Sequence, residues 1–171
     1  MIRAAHKNDA TAIYEISVLA HTQSYYDQLI PNESMQRFLD HYRVSTHRRQ
    51  RFISSINRKI DDQRWAVIVA EIDHQVVGYT LAYQPNAHLL QLKGLFVAPD
   101  YHAVGVGGKL FDASLRVNRM ATIVQLLVID ANHVAKSIYL KRGFRVTGRS
   151  PKKFFGAKQD VMECTNVLLT I

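Results

Sequence analysis

The stretch that decides the fold runs from Leu92 to Leu115 and reads LKGLFVAPDYHAVGVGGKLFDASL. Its first part is an apolar run typical of a β-strand, and Pro99 ends that run. A turn follows that contains several glycines, and apolar residues then recur with the period of one helix face. The glycines are Gly105, Gly107 and Gly108, and the apolar residues of the predicted face are Val106, Leu110, Ala113, Val117 and Met120.

These glycines therefore lie between a strand and the first turn of a helix. Backbone N–H groups at that position have no partner within the helix, and the helix dipole is positive there. Glycine has no Cβ, so a ligand can approach the backbone closely. The sequence predicts a site for a phosphate-containing ligand at this turn.

The spacing of the glycines excludes two common nucleotide-binding motifs. A P-loop requires a glycine where Ala103 stands and a hydroxyl side chain where Leu110 stands. The dinucleotide motif G-x-G-x-x-G lacks its last glycine, because Leu110 and Phe111 occupy that region. A shorter pattern, [Q/R]-x-x-G-x-[G/A], fits Gly105 and Gly107, with His102 in its leading polar position.

A second motif lies downstream of the glycine turn. Residues 132–144 read NHVAKSIYLKRGF, which matches the pattern N-x-x-A-x-x-x-Y-x-x-x-G-F. With these two motifs in this order, the chain resembles the GNAT superfamily of acyl-CoA N-acyltransferases. The resemblance covers roughly Ile2 to Val161 and is strongest from Trp65 to Phe144.

The resemblance implies one α/β (α+β) domain over residues 1–171. Its central sheet is expected to be mixed and mostly antiparallel, splayed between the fourth and fifth strands and flanked by helices. Local patterns predict a helix after a cap at Asn8 or Asp9, and the apolar periods and turn residues predict the other elements. These are a strand at Ile2–Ala4, helices over 32–42 and 45–60, a hairpin from Trp65 to Tyr83, a strand at Ile123–Ile129, and late strands near Arg145–Thr147 with Lys153–Phe155 and near Asp160–Leu168.

The resemblance also implies acetyl-CoA as co-substrate and no metal. Its pantetheine arm is expected on the backbone of Phe96, Val97 and Ala98, and Tyr139 is expected to act as general acid to the CoA thiolate. Asn132 is a good helix N-cap and a second expected contact of the pantetheine. The pyrophosphate is expected at the glycine turn, on the segment formed by His102, Ala103, Val104, Gly105, Val106, Gly107, Gly108 and Lys109.

The general base is left open by the sequence. Lys93 stands where many relatives carry a glutamate, and a lysine serves as a base only if its pKa is strongly lowered. Glu71, His74 and His88 are alternative bases, and proton loss through water is another. Tyr25, Tyr26, Tyr83 and the loop Ser150–Ala157 are candidates for the acceptor pocket, or ordinary packing residues.

Composition places the chain among globular proteins with one domain. It has 171 residues, a formal net charge of +8 and a single cysteine, Cys164, so neither an internal disulfide nor a cysteine metal cluster can form. No apolar stretch approaches the roughly 18 residues of a membrane span, and MIRAAHKNDA is not a secretory signal. We therefore expect a cytoplasmic protein without membrane contact.

Three explanations remain open for the positive charge: solvated helix faces, attraction of anionic CoA, and contact with nucleic acid or a ribosome. The function expected from the resemblance is transfer of an acetyl group from acetyl-CoA to a primary amine of a small molecule or of a protein or peptide N-terminus. The alternative is a CoA-binding sensor or partner module with little turnover. A homodimer through the late strands stays open.

Overall fold

A computed structural model of the chain describes residues 1–23, 29–42, 45–117 and 121–165. The strands in these ranges are β1 (Ile2–Ala4), β2 (Trp65–Ile72), β3 (Gln75–Asn86), β4 (Leu89–Val97), β5 (Ile123–Ile129), β6 (Arg145–Arg149) and β7 (Gln159–Thr165). The α-helices are α1 (Ala10–Gln23), α2 (Asn32–Tyr42), α3 (Thr46–Asp61), α4 (Val106–Val117) and α5 (His133–Lys141), and short 3-10 helices cover Lys7–Asp9 and Pro99–Tyr101.

The strands form one seven-stranded sheet in the order β1-β2-β3-β4-β5-β7-β6. The pair β4–β5 is parallel, and the other neighbouring pairs are antiparallel. The chain therefore has the mixed, mostly antiparallel α/β fold that the sequence analysis predicts. No helix within the described ranges is long and apolar enough to cross a membrane.

Alternation along β2 explains how helices cover both faces of this sheet. Val67 and Val69 pack into a cluster with residues of α1 and α3, whereas Ile68 and Ala70 pack into a cluster with Val106 and other residues of α4. Because successive side chains of a strand point to opposite faces, an apolar run without alternation is typical of a strand buried on both sides.

A β-bulge in β4 opens the sheet. Leu81 pairs with Gly94, but Ala82 pairs with Leu92, so Lys93 is the extra residue of β4. The buried hydroxyl of Thr80 donates a hydrogen bond to the Gly94 carbonyl over 3.0 Å. A bulge bends its strand, and the parallel pairing of β4 with β5 ends at Leu92, directly before the bulged residue.

Two helix predictions need correction. Before α1, a 3-10 turn begins at His6, and the Asp9 carboxylate accepts the His6 N–H over 2.7 Å, so Asp9 caps this earlier turn rather than α1. Val117 was predicted on the buried face of α4, yet its side chain is 59% exposed. Val117 borders an open groove that is also lined by residues of β1 and β2. Met120, on the same predicted face, lies outside the described residues.

One predicted strand is also wrong. Residues 153–155 do not form a strand, and the only pairing there is an isolated bridge between Phe154 and Ala157. The partner of β6 is β7 instead, because Arg145 pairs with Glu163 and Arg149 with Asp160. The end of the last predicted strand, at Leu168, lies outside the described residues.

Candidate functional site

The candidate site is the gap that opens between β4 and β5. Their parallel pairing runs from Leu89 with Ile123 to Leu92 with Leu126 and then stops. Beyond this point a cleft of about 270 Å³ lies between the diverging strands. Residues of β4, β5 and α5 line it, together with His21 from α1 and Phe154 from the loop before β7.

The backbone of β4 offers donors to this gap at alternate residues. The Ala98 N–H donates to the Val77 carbonyl over 2.8 Å, so it points toward β3. Because backbone groups alternate along a strand, the N–H of Phe96 also points toward β3, and those of Leu95 and Val97 point into the gap. Of the expected backbone contacts Phe96, Val97 and Ala98, only the N–H of Val97 is directed into the gap, and that of Leu95 is directed there as well. Contact of this segment with pantetheine stays a prediction.

The turn after β4 presents a continuous row of backbone donors. From Ala103 to Gly108, none of the N–H groups donates to another described residue. Two residues of this turn have left-handed backbone, Ala103 with φ of +64° and Gly105 with φ of +80°. Successive N–H groups in such a turn and at a helix N-terminus converge on one point and form a concave anion site.

Both ends of the expected phosphate segment have other partners. The N–H of His102 donates to the Pro99 carbonyl and that of Lys109 to the Gly105 carbonyl, over 3.0 and 3.2 Å. The N–H groups of this segment that remain available to a ligand are therefore those of residues 103–108. The His102 ring adds a second bond, because its Nε2 lies 3.0 Å from the Val97 carbonyl oxygen and ties the turn to the end of β4.

Helix α5 brings three residues of the second motif to the cleft. Asn132, Ala135 and Tyr139 line it on one side. Asn132 is the N-cap, since its Oδ1 accepts the Ala135 N–H over 3.0 Å. The half-buried ring of Tyr139 packs on Phe144 with 5.5 Å between ring centroids. The spacing of the motif thus places the candidate acid in the wall of the cleft.

An ion pair holds α5 against the sheet. Lys136 donates to the carboxylate of Asp160 on β7, and Asp160 is only 5% exposed. Hydrogen bonding to Lys136 and the nearby charge of Arg149 hold the pKa of Asp160 below its usual value. Asp160 therefore stays ionised at neutral pH and fixes the helix that carries Tyr139.

The expected alternative bases lie away from the cleft. Glu71 is paired with Arg3, with 2.7 Å between charged atoms, and Arg3 also binds Asp9. His74 belongs to the β2–β3 turn and His88 to the β3–β4 turn, and neither lines the cleft. Lys93 does line it, and partial burial and the charge of Lys152 lower the pKa of its amine.

His21 is a residue of the cleft that the sequence analysis missed. It is buried, and its Nδ1 lies 2.6 Å from the Ser17 carbonyl oxygen, which makes Nδ1 the protonated nitrogen. Its ring stacks on Tyr42 at 4.3 Å and lies 4.8 Å from the ring of Phe96. Burial lowers the pKa of His21 from 6.5 to about 4, so the imidazole is neutral at physiological pH.

The acceptor candidates divide into three groups. Phe154, within the loop Ser150–Ala157, lines the cleft. Tyr83 does not, and its ring packs against Trp65 with a centroid distance of 4.8 Å. Tyr25 and Tyr26 lie outside the described residues. Across the ranges that the structure covers, no three His, Cys, Asp or Glu side chains are grouped as metal ligands.

Sequence comparison agrees with the geometry of the cleft. The profile of the family described as Acetyltransferase (GNAT) domain matches residues 22–165. An uncharacterized N-acetyltransferase of Mycobacterium bovis is 30% identical over 91 residues, which are 52% of this chain and 58% of the relative. The chain thus spans somewhat more than half the length of this curated relative.

Solved structures share the fold over nearly the whole chain. The PaiA N-acetyltransferase of Thermoplasma acidophilum, in complex with coenzyme A, superposes with a TM-score of 0.74 at 17% identity, covering 96% of this chain and 98% of its own. YncA of Salmonella typhimurium, a putative acetyltransferase with acetyl-CoA, has a TM-score of 0.67 at 20% identity, with 97% and 93% covered. With the family profile matched over most of its length, the chain belongs to the GNAT acetyltransferase family.

Proposed function

We propose that this protein transfers the acetyl group of acetyl-CoA to a primary amine of a small molecule or of a protein or peptide N-terminus. The observation that carries the proposal is the continuity of two features. The gap is bordered by β4, and the turn with the row of N–H donors from Ala103 to Gly108 is tied to the end of the same strand by the bond between the His102 ring and the Val97 carbonyl. A thioester with a long arm and a pyrophosphate needs both features side by side.

The residues of the site suit acetyl-CoA. Donors from Ala103 to Gly108 would hold the pyrophosphate, and cations elsewhere on the surface raise its local concentration. The N–H groups of Leu95 and Val97 point into the gap, where a pantetheine arm can lie as an additional strand. One of these donors at the thioester carbonyl would stabilise the negative charge that develops on its oxygen, worth about 3 kcal/mol.

In the reaction, the neutral amine nitrogen attacks the thioester carbonyl, a C–N bond forms and the C–S bond breaks. The nitrogen loses a proton to water or to a nearby base, and the thiolate leaves. The hydroxyl of Tyr139, a residue that lines the cleft, donates its proton to the sulfur. The phenol then recovers a proton from solvent, so the enzyme returns to its starting state.

The acceptor end of the cleft is apolar and aromatic. His21, Phe96 and Phe154 line it, and His21 is neutral because burial lowers its pKa to about 4. Apolar surroundings disfavour the charged ammonium form of an amine, because they remove its hydration. Lys93, which lines the same cleft, shows this effect, since desolvation and the charge of Lys152 lower the pKa of its own amine. These surroundings favour an amine that enters in its uncharged, nucleophilic form.

The test is thiol release from acetyl-CoA in the presence of a panel of primary amines. Tyr139→Phe keeps the ring on Phe144 and removes the proton, and we expect turnover to fall by about a hundredfold with unchanged acetyl-CoA affinity. Tyr83→Phe removes a hydroxyl outside the cleft and serves as the matched control, with wild-type turnover expected.

Turnover of Tyr139→Phe equal to wild type would reject the role of the hydroxyl. Acetyl-CoA binding without thiol release for any amine would instead support the alternative, a CoA-binding module. Absence of acetyl-CoA binding would overturn the proposed function as a whole.

A further inference from the structure

A second cavity lies between α1, α2 and α3, outside the acetyl-CoA cleft. It is an open groove of about 1080 Å³. Three arginines of α3, namely Arg48, Arg51 and Arg58, line it together with His41 and His47. No aspartate or glutamate is among the described residues that line the groove. The groove is therefore cationic, and it is larger than a typical small-molecule pocket of roughly 300–1,000 Å³.

The arginines form one stripe along α3. Arg48, Arg51, Ser55 and Arg58 follow each other at helical steps, so they share a helix face. At 1.5 Å per residue the stripe is about 15 Å long. None of the three arginines forms an ion pair with a described residue, whereas Arg49, on a different face, pairs with Glu15 at 3.6 Å. The charges of the stripe are thus available to a ligand.

The position of these charges is unfavourable for the helix itself. The first turn of α3 contains no acidic residue and carries His47 and Arg48 at the positive end of the helix dipole. Burial and the charge of Arg48 lower the pKa of His41, which lies across the groove. These cations repel one another and the positive end of the helix. An anion bound between them is attracted to all of them and offsets this repulsion.

The groove and the acetyl-CoA cleft share a wall. Tyr42 lines the groove, and its ring stacks on His21, which lines the cleft. Ser17 also lines the groove, and its carbonyl oxygen binds Nδ1 of the same histidine. A ligand that occupies the groove therefore lies one pair of stacked rings away from the site of acetyl transfer.

We propose that this groove binds an acidic segment of a polypeptide acceptor whose amine is acetylated in the neighbouring cleft. This inference rests on the proposed function and names its substrate class. An extended chain advances about 3.3 Å per residue, so the stripe spans four or five residues. Several carboxylates of such a segment can each meet one arginine, in the bidentate geometry that guanidinium groups favour.

The aromatic residues of the groove favour a peptide over single-stranded nucleic acid. Nucleic acid binding of this kind uses open ring faces on which bases stack. Here the buried ring of Tyr14 packs edge-on against Phe52 at 5.4 Å, and the Tyr42 ring is covered by His21. The rings of Tyr14 and Tyr42 therefore pack against other residues of the protein, and the groove presents cationic side chains rather than open ring faces.

The test measures binding separately from chemistry. The probe is a hexapeptide with a free amino terminus, an alanine followed by four acidic residues and a C-terminal fluorescein-labelled lysine, and the matched neutral peptide has glutamine and asparagine instead. Fluorescence anisotropy gives the Kd of both. The variant is Arg51→Gln with Arg58→Gln, and the control, Arg116→Gln with Arg145→Gln, removes the same charge outside the groove.

We expect the acidic peptide to bind at least tenfold more tightly than the neutral one, and the groove variant to lose this preference. The control variant should keep it, and calorimetry should give both variants the acetyl-CoA affinity of the wild type. Binding to the acidic peptide should also weaken steeply with salt.

Equal binding of both peptides to wild type, or an unchanged preference in the groove variant, would overturn the groove assignment even if acetyl transfer occurs. Tighter binding of a single-stranded RNA of equal charge, lost in the groove variant, would overturn the polypeptide in favour of nucleic acid. Failure of the proposed function is distinct, since it would show as missing acetyl-CoA binding.

Discussion

Acidification should destabilise this protein through His21. The buried imidazole has a pKa of about 4 in the folded protein, whereas a histidine in the unfolded chain has a pKa of about 6.5. The unfolded chain therefore binds a proton that the folded protein does not bind between these two values, and stability falls as the pH is lowered through this window. Above pH 6.5 His21 is neutral in both states, and the free energy of unfolding does not depend on its titration. Below about pH 4 the full loss of unfolding free energy is reached.

The size of this effect follows from the shift. A difference of this size corresponds to about 3 kcal/mol when the pH falls below both pKa values, and to about 2 kcal/mol by pH 5. The free energy of unfolding can be measured by urea denaturation, with the fluorescence of Trp65 as the probe. The comparison is wild type against His21→Phe, at pH 7.5 and at pH 5.

The phenylalanine variant keeps an aromatic ring on Tyr42 and removes the titrating group. Groups elsewhere in the protein that titrate in the same range affect both proteins equally, so the difference between the two pH dependences isolates His21. We expect the wild type to lose about 2 kcal/mol more than the variant between these pH values. Parallel pH dependences would refute the assignment of a buried, neutral His21.

Three further predictions concern β4 and the turn that follows it. Ala103→Gly relieves an alanine with φ of +64°, so it should be about 1 kcal/mol more stable than the matched control Ala131→Gly in urea denaturation. Thr80→Val removes the hydroxyl that binds the Gly94 carbonyl, and it should lose about 1–2 kcal/mol of unfolding free energy and lower turnover, whereas Thr122→Val, at the surface, should do neither. His102→Ala removes the ring that bonds the Val97 carbonyl and ties the turn to the end of β4, so acetyl-CoA should bind about tenfold more weakly in calorimetry; an unchanged Kd would contradict the role of His102.

The turn after β4, with its backbone donors at the start of α4, was predictable because its causes are local. The glycines, the apolar period of α4 and the break at Pro99 are consecutive in the sequence, and together they place donors at a helix N-terminus. The same holds for Asn132, whose N-cap role depends on a residue three positions away. The positive φ of Ala103 could not be predicted from the sequence, because alanine rarely adopts this conformation and a glycine or asparagine, which would indicate it, is absent at this position.

The remaining features depend on pairings between distant segments. The bulge at Lys93 exists only relative to β3, and the donors of Leu95 and Val97 point into the gap only because of that register. His21 reaches the cleft because α1, α2 and the loop of Phe154 meet there. Val117 follows the apolar period of α4 but borders a groove that is open beside β1.

In the proposed function, the N–H groups from Ala103 to Gly108 bind the pyrophosphate of acetyl-CoA. A titration of the ¹⁵N-labelled protein with acetyl-CoA, followed through its amide resonances, observes these groups directly. We predict that the amide shifts of residues 103–108, with those of Leu95 and Val97, are among the largest in the protein, and that ATP and NAD at the same concentration do not reproduce them. Saturable binding of acetyl-CoA that leaves the amide resonances of residues 103–108 unshifted would show that the pyrophosphate binds elsewhere.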